Sequence, residues 1–187
     1  MLEIVDFSNF DVRSPSELLP EDSNCHKRKP VQAEGLKPPR PTDQGLRLAS
    51  CELNTLSGLK ELVDSALWYP RRLKLLDLSV NKLTSVEELV AFPELQLLYL
   101  EGNSLATVQT LLPLTKLEHL TSLSIHGNPL VSQKHFRPWI IATLPQLTRL
   151  DNIPITRKER ENASQLIKLG AIPMARGTKP ESDSSKK

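Results

Sequence analysis

The 187-residue chain is poor in the residues from which many functions are built. It has only two cysteines, Cys25 and Cys51, in no paired spacing, which excludes a disulfide framework or a thiolate metal site and fits a reducing compartment. Aromatic residues make up 4%, so a core must rest on aliphatic side chains. No run approaches the roughly 18 uncharged apolar residues of a membrane span. The opening MLEIVDFSNFDVR also lacks the basic start and apolar run of a signal peptide. A soluble, unexported, cytoplasmic protein is expected.

Charge of one sign is also scarce. The net charge is +2, and the segment from Leu46 to Ile167 carries 13 bases and 12 acids. Acid collects at Met1–Cys25 and base at His26–Gly45 and beyond Lys168. A nucleic-acid binder needs a basic domain or bases interleaved with aromatics, and the body offers neither. With 39% hydrophobic and 25% charged residues, the composition is that of a soluble globular domain.

What is abundant is leucine in a fixed pattern, LxxLxLxxNxL. Leu73, Leu76, Leu78, Asn81 and Leu83 make one copy; Leu95, Leu98, Leu100, Asn103 and Leu105 the next; Leu120, Leu123, Ile125, Asn128 and Leu130 the third. A weaker copy precedes them, with Asp43 in the first slot, Leu46, Leu48 and Leu53 in frame, and Cys51 in the asparagine slot. Leu147 and Leu150 begin a truncated copy after them. From Asp43 the steps are 30, 22, 25 and 27 residues, close to the roughly 20 to 29 of leucine-rich repeats. A helical bundle would not place asparagine in the same slot each time. The fold class is therefore α/β: a leucine-rich-repeat solenoid of about five coils, with short parallel strands on its concave face and helical or irregular convex returns.

Each residue type has a mechanical part. The fourth and sixth positions of a copy point inward, and the period of two sends the third, fifth and seventh to the concave solvent face. Asn81, Asn103 and Asn128 form a structural ladder, their amides satisfying backbone groups left unpaired at the bend. Ser85 with Glu88 is a capping-box arrangement opening a helical return whose inward face is Val86, Leu89 and Phe92. Leu59, Val63 and Leu67 mark another helical return. At the C-terminal end Phe136, Ile140, Leu144 and Leu147 have helical spacing, and Thr156 with Glu159 opens a capping helix that Gly170 stops. The expected division is a largely irregular arm over 1–42, with an apolar cluster (Leu2, Ile4, Val5, Phe7, Phe10) and then Pro30, Pro38, Pro39 and Pro41, a repeat domain with its cap over 43–170, and a flexible basic tail over 171–187.

The asparagine-bearing repeats followed by NPL at Asn128–Leu130, by FRPWIIATLPQLTRLD at Phe136–Asp151 and by ITRKER at Ile155–Arg160 resemble the SDS22-like leucine-rich-repeat family with its C-terminal cap. DFS at Asp6–Ser8, LDLSVN at Leu76–Asn81 and LYLEGNSL at Leu98–Leu105 resemble a group within it found in organisms with motile cilia. The resemblance implies a protein without enzymatic activity or cofactor, located in the cytoplasm or the ciliary or flagellar axoneme, whose partners are axonemal or microtubule-associated proteins. Other members of the family serve as regulatory adaptors of a phosphatase or as spliceosomal ribonucleoprotein subunits. The few coils argue against the first, and the long arm and neutral body against the second.

The concave columns supply the candidate binding residues. The third column reads Gly45, Leu75, Leu97, Ser122, Arg149; the fifth Arg47, Asp77, Tyr99, Ser124, Asp151; the seventh Ala49, Ser79, Glu101, His126. Leu75, Leu97 and Tyr99 are expected to form a small exposed apolar patch rimmed by Asp77, Glu101 and His126, a composition suited to binding protein; the other reading is that they pack on one another or under the arm. His126 faces Glu101 and Asp151 across the strands, yet no oxyanion turn or nucleophile elbow accompanies Ser122 or Ser124. The other histidines lack metal-ligand spacing. Neither catalysis, a metal, a membrane nor a small-molecule substrate is expected.

Overall fold

The structure, a computed structural model, describes residues 2–23, 25, 29 and 40–172. Six short strands stack as parallel neighbours in chain order: β1 (Leu2–Asp6), β2 (Asp43–Arg47), β3 (Leu73–Asp77), β4 (Leu97–Tyr99), β5 (Ser122–Ser124) and β6 (Arg149–Leu150). A seventh, β7 (Ile153–Pro154), turns back antiparallel on β6 and ends the sheet. Leu46, Leu76, Leu98, Leu123 and Leu150 stand side by side in register. With Leu48, Leu78, Leu100 and Ile125 they form a nearly solvent-free aliphatic stack. Each such side chain removed from water contributes roughly 2 kcal/mol, and only stacked neighbours can complete that burial.

Return length decides return structure. The longest step between copies holds a true helix, α1 (Leu59–Ala66), which buries Leu59, Leu62, Val63 and Ala66. The two shortest steps, of 22 and 25 residues, hold 3₁₀ turns, Glu87–Ala91 and Val108–Lys116, because the tighter helix rises further per residue. The capping box expected at Ser85 and Glu88 does not form, the turn starting after Val86: Ser85 Oγ accepts from the Glu87 N–H at 3.3 Å instead. Val86, Leu89 and Phe92 do face inward.

The asparagines bind coil to coil. Asn81 Oδ1 accepts from the Cys51 and Leu53 N–H groups at 3.0 Å each, and its Nδ2 donates to Leu48 O at 2.8 Å and Leu78 O at 3.0 Å. Asn103 repeats the arrangement, accepting from Leu83 N–H at 3.0 Å and donating to Leu78 O at 2.9 Å and Leu100 O at 3.0 Å. Asn128 does so with Leu105, Leu100 and Ile125. In the asparagine slot of the earlier coil, the Cys51 thiol donates to Phe7 O at 3.0 Å, and burial raises its pKa. Asn103→Ala orphans the buried Leu83 N–H and takes from Leu78 O and Leu100 O one of their two amide donors, the others being Asn81 and Asn128, so stability should fall by about 2 kcal/mol. Denaturant unfolding checks this, with the exposed Asn162→Ala as a control expected to stay within about 0.5 kcal/mol.

The arm over 1–42, expected to be largely irregular, contributes a regular strand, β1, which adds a parallel neighbour ahead of the about five coils expected. Leu2 pairs with Asp43 and Val5 with Leu46 in a parallel ladder, and the Phe7 N–H reaches Arg47 O as the Leu48 N–H reaches Asp77 O. Val5 and Phe7 are fully buried. Downstream the arm is tied to the next coil by Asn54 N–H to Arg13 O at 3.0 Å and Ser14 Oγ to Ser57 O at 2.7 Å. Gly58, at φ +80°, opens α1 where a Cβ would stand 2.6 Å from that of Ser16, so glycine permits both the turn and the close approach of the arm. Of the proline-bearing stretch, residues 30–39 lie outside the described residues.

The C-terminal cap contains α2 (Phe136–Thr143) and α3 (Arg157–Lys168). Ile140, Leu144 and Leu147 are buried, while Phe136 is only partly so. Thr156 and Glu159 exchange both capping-box hydrogen bonds. The Thr156 N–H and the Arg137 guanidinium, 2.8 Å away, hold the Glu159 carboxyl below its ordinary pKa. Gly170, at φ +69°, ends the helix. Ala171 and Ile172, expected to open the flexible tail, instead close the cap: both N–H groups donate to Leu166 O, and Ile172 is buried. The rest of that tail, 173–187, lies outside the described residues.

Candidate protein-binding face

The register aligns the third and fifth columns, apart from Asp151, and extends both by one strand. Ile4, Gly45, Leu75, Leu97, Ser122 and Arg149 form one row; Asp6, Arg47, Asp77, Tyr99 and Ser124 form the next. Behind them run Ala49, Ser79, Glu101 and His126, linked through the turns that follow the strands: the Asn9, Ser50, Val80 and Gly102 N–H groups donate to their respective carbonyls.

Exposure along these rows differs from the sequence expectation. Leu75 is only 7% exposed, because the bare Gly45 beside it lets Ile4 and Leu75 close over the backbone; a Cβ at Gly45 would meet Ile4 Cγ1 at 3.1 Å and Leu75 Cβ at 3.3 Å. The three-residue apolar patch is thus corrected: Leu75 packs under the arm, and Leu97 with Tyr99 remains half-buried on the face. Ser124 is buried at 1%. Ser122 is half-buried, Arg149 exposed.

The charges divide into paired and unpaired. Arg47 reaches Asp6 Oδ2 at 3.4 Å with Nη1 and Asp77 Oδ2 at 3.1 Å with Nε, while Asp77 Oδ1 accepts from Ser79 Oγ at 2.6 Å. Asp77 is therefore a strut of the face rather than a free rim carboxylate. Asp151 ends the ladder: its Oδ1 accepts from the Ile125 N–H at 2.7 Å and the His126 N–H at 2.9 Å. In earlier coils a backbone carbonyl of the next strand does that work, as Tyr99 O does for Leu78. The exposed His126 ring lies 3.6 Å from Asp151, and the structure records no ion pair between it and Glu101. Among the described residues, no three His, Cys, Asp or Glu side chains gather as a metal site, and no helix is long and apolar enough to cross a membrane.

Ile4 and Asp6 belong to the face although the expected columns did not include them, and Arg47, which stood in the fifth column, is their neighbour there. The signal was present in the arm, where Val5 and Phe7 alternate with Ile4 and Asp6 as Leu46 and Leu48 alternate with Gly45 and Arg47.

Comparison with known proteins agrees with this arrangement. A family model described as leucine-rich repeat matches residues 25–174. Leucine-rich repeat-containing protein 51 of Mus musculus is 32% identical over 170 residues, covering 90% of this chain and 87% of that protein. The Homo sapiens U2 small nuclear ribonucleoprotein A′ is 39% identical over 100 residues, covering 52% of this chain and 39% of that protein. A chain of the Drosophila melanogaster SNF/U2A′ complex superposes with a TM-score of 0.61 at 23% identity, over 88% of this chain and 80% of that one, a likeness of fold.

Proposed function

The chain belongs to the leucine-rich-repeat family, and from that membership we propose that it is a non-catalytic scaffold that takes a protein partner on its concave face, as a structural or assembly component of the ciliary or flagellar axoneme. Leucine-rich-repeat folds are typically protein-interaction modules rather than enzymes. The observation that carries the binding reading is the pair Leu97 and Tyr99: both stand on the solvent side of the most regular coil, and neither belongs to the inward leucine stack. A half-exposed aromatic beside an aliphatic side chain, rimmed by Glu101, His126 and Arg149, has the composition of a binding anchor with a polar border.

The axonemal and cytoplasmic setting is what the sequence resemblance to a group found in organisms with motile cilia implies. A second reading, a spliceosomal ribonucleoprotein subunit, is favoured by the 39% identity over 100 residues to the U2 protein. Tagging the full chain in a ciliated cell separates them. Enrichment in the axonemal or cytoplasmic fraction is the expected result. Enrichment in the nucleus with ribonucleoprotein particles overturns it in favour of the second reading.

A further inference from the structure

The turns after β1 to β5 place Asn9, Ser50, Val80, Gly102 and Gly127 in the left-handed region, with φ of 67°, 56°, 54°, 66° and 72°; Glu52 follows Ser50 there at 59°, and Asp151 and Asn152 follow β6 at 51° and 63°. Glycine and asparagine sit there readily, whereas a β-branched residue does so under strain. Burial does not account for the valine, since Val80 is 57% exposed. Its neighbour Gly102 leaves the floor beside it bare, for a Cβ there would lie 3.5 Å from Val80 Cα and 3.6 Å from Cγ2. A strained, exposed, apolar residue at a rim is the kind of outlier from which function is inferred.

A second observation lies next to it. The Val80 N–H donates to Glu101 O at 2.8 Å, and Glu101 follows Tyr99 by two residues on the same coil. Glu101 Oε2 is buried and accepts no hydrogen bond, and its carboxylate has no ion pair among the described residues. The other carboxylates of the face are occupied: Asp6 and Asp77 by Arg47, and Asp151 by two backbone N–H groups. Lys82, two residues beyond Val80, is held by Glu52. The rim therefore combines an exposed aliphatic side chain with a carboxylate that lacks a cation.

We propose that Val80 and Glu101, with Tyr99 beside them, are the anchor of a docking surface for a basic, amphipathic segment of a protein partner. An aliphatic side chain of that segment lies on Val80 over bare Gly102, and an Arg or Lys of the same segment pairs with Glu101 at the edge of the concave face. The charge complementarity sets the sign: an acidic segment or a nucleic-acid backbone would meet an unshielded carboxylate. This inference rests on the concave-face reading and names the class of its partner.

The test selects a displayed random-peptide library against the full chain. Enriched peptides should carry Arg or Lys close to Leu, Ile or Val. Their affinity should fall about tenfold or more in Glu101→Gln and in Val80→Asn, and their salt dependence should weaken in Glu101→Gln. Val80→Asn should at the same time raise the melting temperature by about 3 °C, since it relieves the strained φ. A merely structural valine would not weaken binding while its replacement stabilises the fold. Val80→Gly repeats the test without a new amide. Enrichment of acidic peptides, no enrichment, unchanged affinity in both variants, or lower melting in both Val80 variants overturns the inference. Peptides that lose affinity with Leu97→Ser and Tyr99→Ala but not with Val80 or Glu101 changes overturn it while leaving the concave-face reading intact. Peptides indifferent to changes at all four positions remove both.

Discussion

A chain ending at Pro154 should melt about 10 °C below one ending at Ile172 and should aggregate on heating. The expectation follows from what α3 covers. Ala163 and Ile172 are buried, and Leu166 and Ile167 are packed against the core. Removing two buried and two partly buried aliphatic side chains forfeits roughly 4 kcal/mol of burial, and a domain of this size loses about 2 to 4 °C per kcal/mol. Polar ties go as well: Arg160 donates to Leu147 O, and Glu159 steadies the Arg137 guanidinium, whose Nη1 donates to Leu150 O at 3.2 Å. Those carbonyls belong to the last coil, whose apolar side would then face water, as the uncapped end of any solenoid does. The chain ending at Ile172 keeps every one of these contacts and serves as the reference. Calorimetry and light scattering on the pair give the answer, and equal melting with both chains monomeric would mean that α3 is not the cap.

The cap was readable in the sequence because its signals are local. Thr156 and Glu159 lie three apart, Gly170 stops the helix, and each needs only its neighbours to act. The asparagine ladder was readable for another reason: an amide in one slot of three in-frame copies has one structural explanation, and Asn81, Asn103 and Asn128 are all buried and bonded between coils. The first coil was hidden. Leu2, Val5, Phe7, Phe10 and Val12 keep the frame, but Phe10 occupies the asparagine slot, and the gap from Leu2 to Asp43 exceeds the ordinary repeat length. The burial of Leu75 was hidden as well, because it depends on two other strands at once: Gly45 withholds a side chain and Ile4 moves into the space. Asp77 looked like a rim charge for the same reason, its partner Arg47 being a neighbour only once β2 and β3 are paired.

Replacing Leu97 by Ser together with Tyr99 by Ala should remove about 2 kcal/mol or more of partner binding, roughly a 30-fold loss of affinity. Its effect on stability should be smaller, about 1 kcal/mol, because both side chains are only half-buried and neither enters the inward stack of Leu76, Leu98 and Leu123. The burial of Leu75 makes the separation of the two effects informative. Leu75 lies one strand from Leu97 and closes over Gly45 with Ile4 of the arm, so a face that is merely a lid on the arm would lose stability and binding together. A docking face would lose binding first. Melting of the purified double mutant, set beside the share of tagged protein that co-elutes with partners from extracts of ciliated cells, distinguishes the cases. Unchanged co-elution would move the anchor away from the centre of the concave face, to the convex side or the arm. Loss of co-elution with melting lowered by no more than about 3 °C places the anchor on the coil that carries Leu97 and Tyr99.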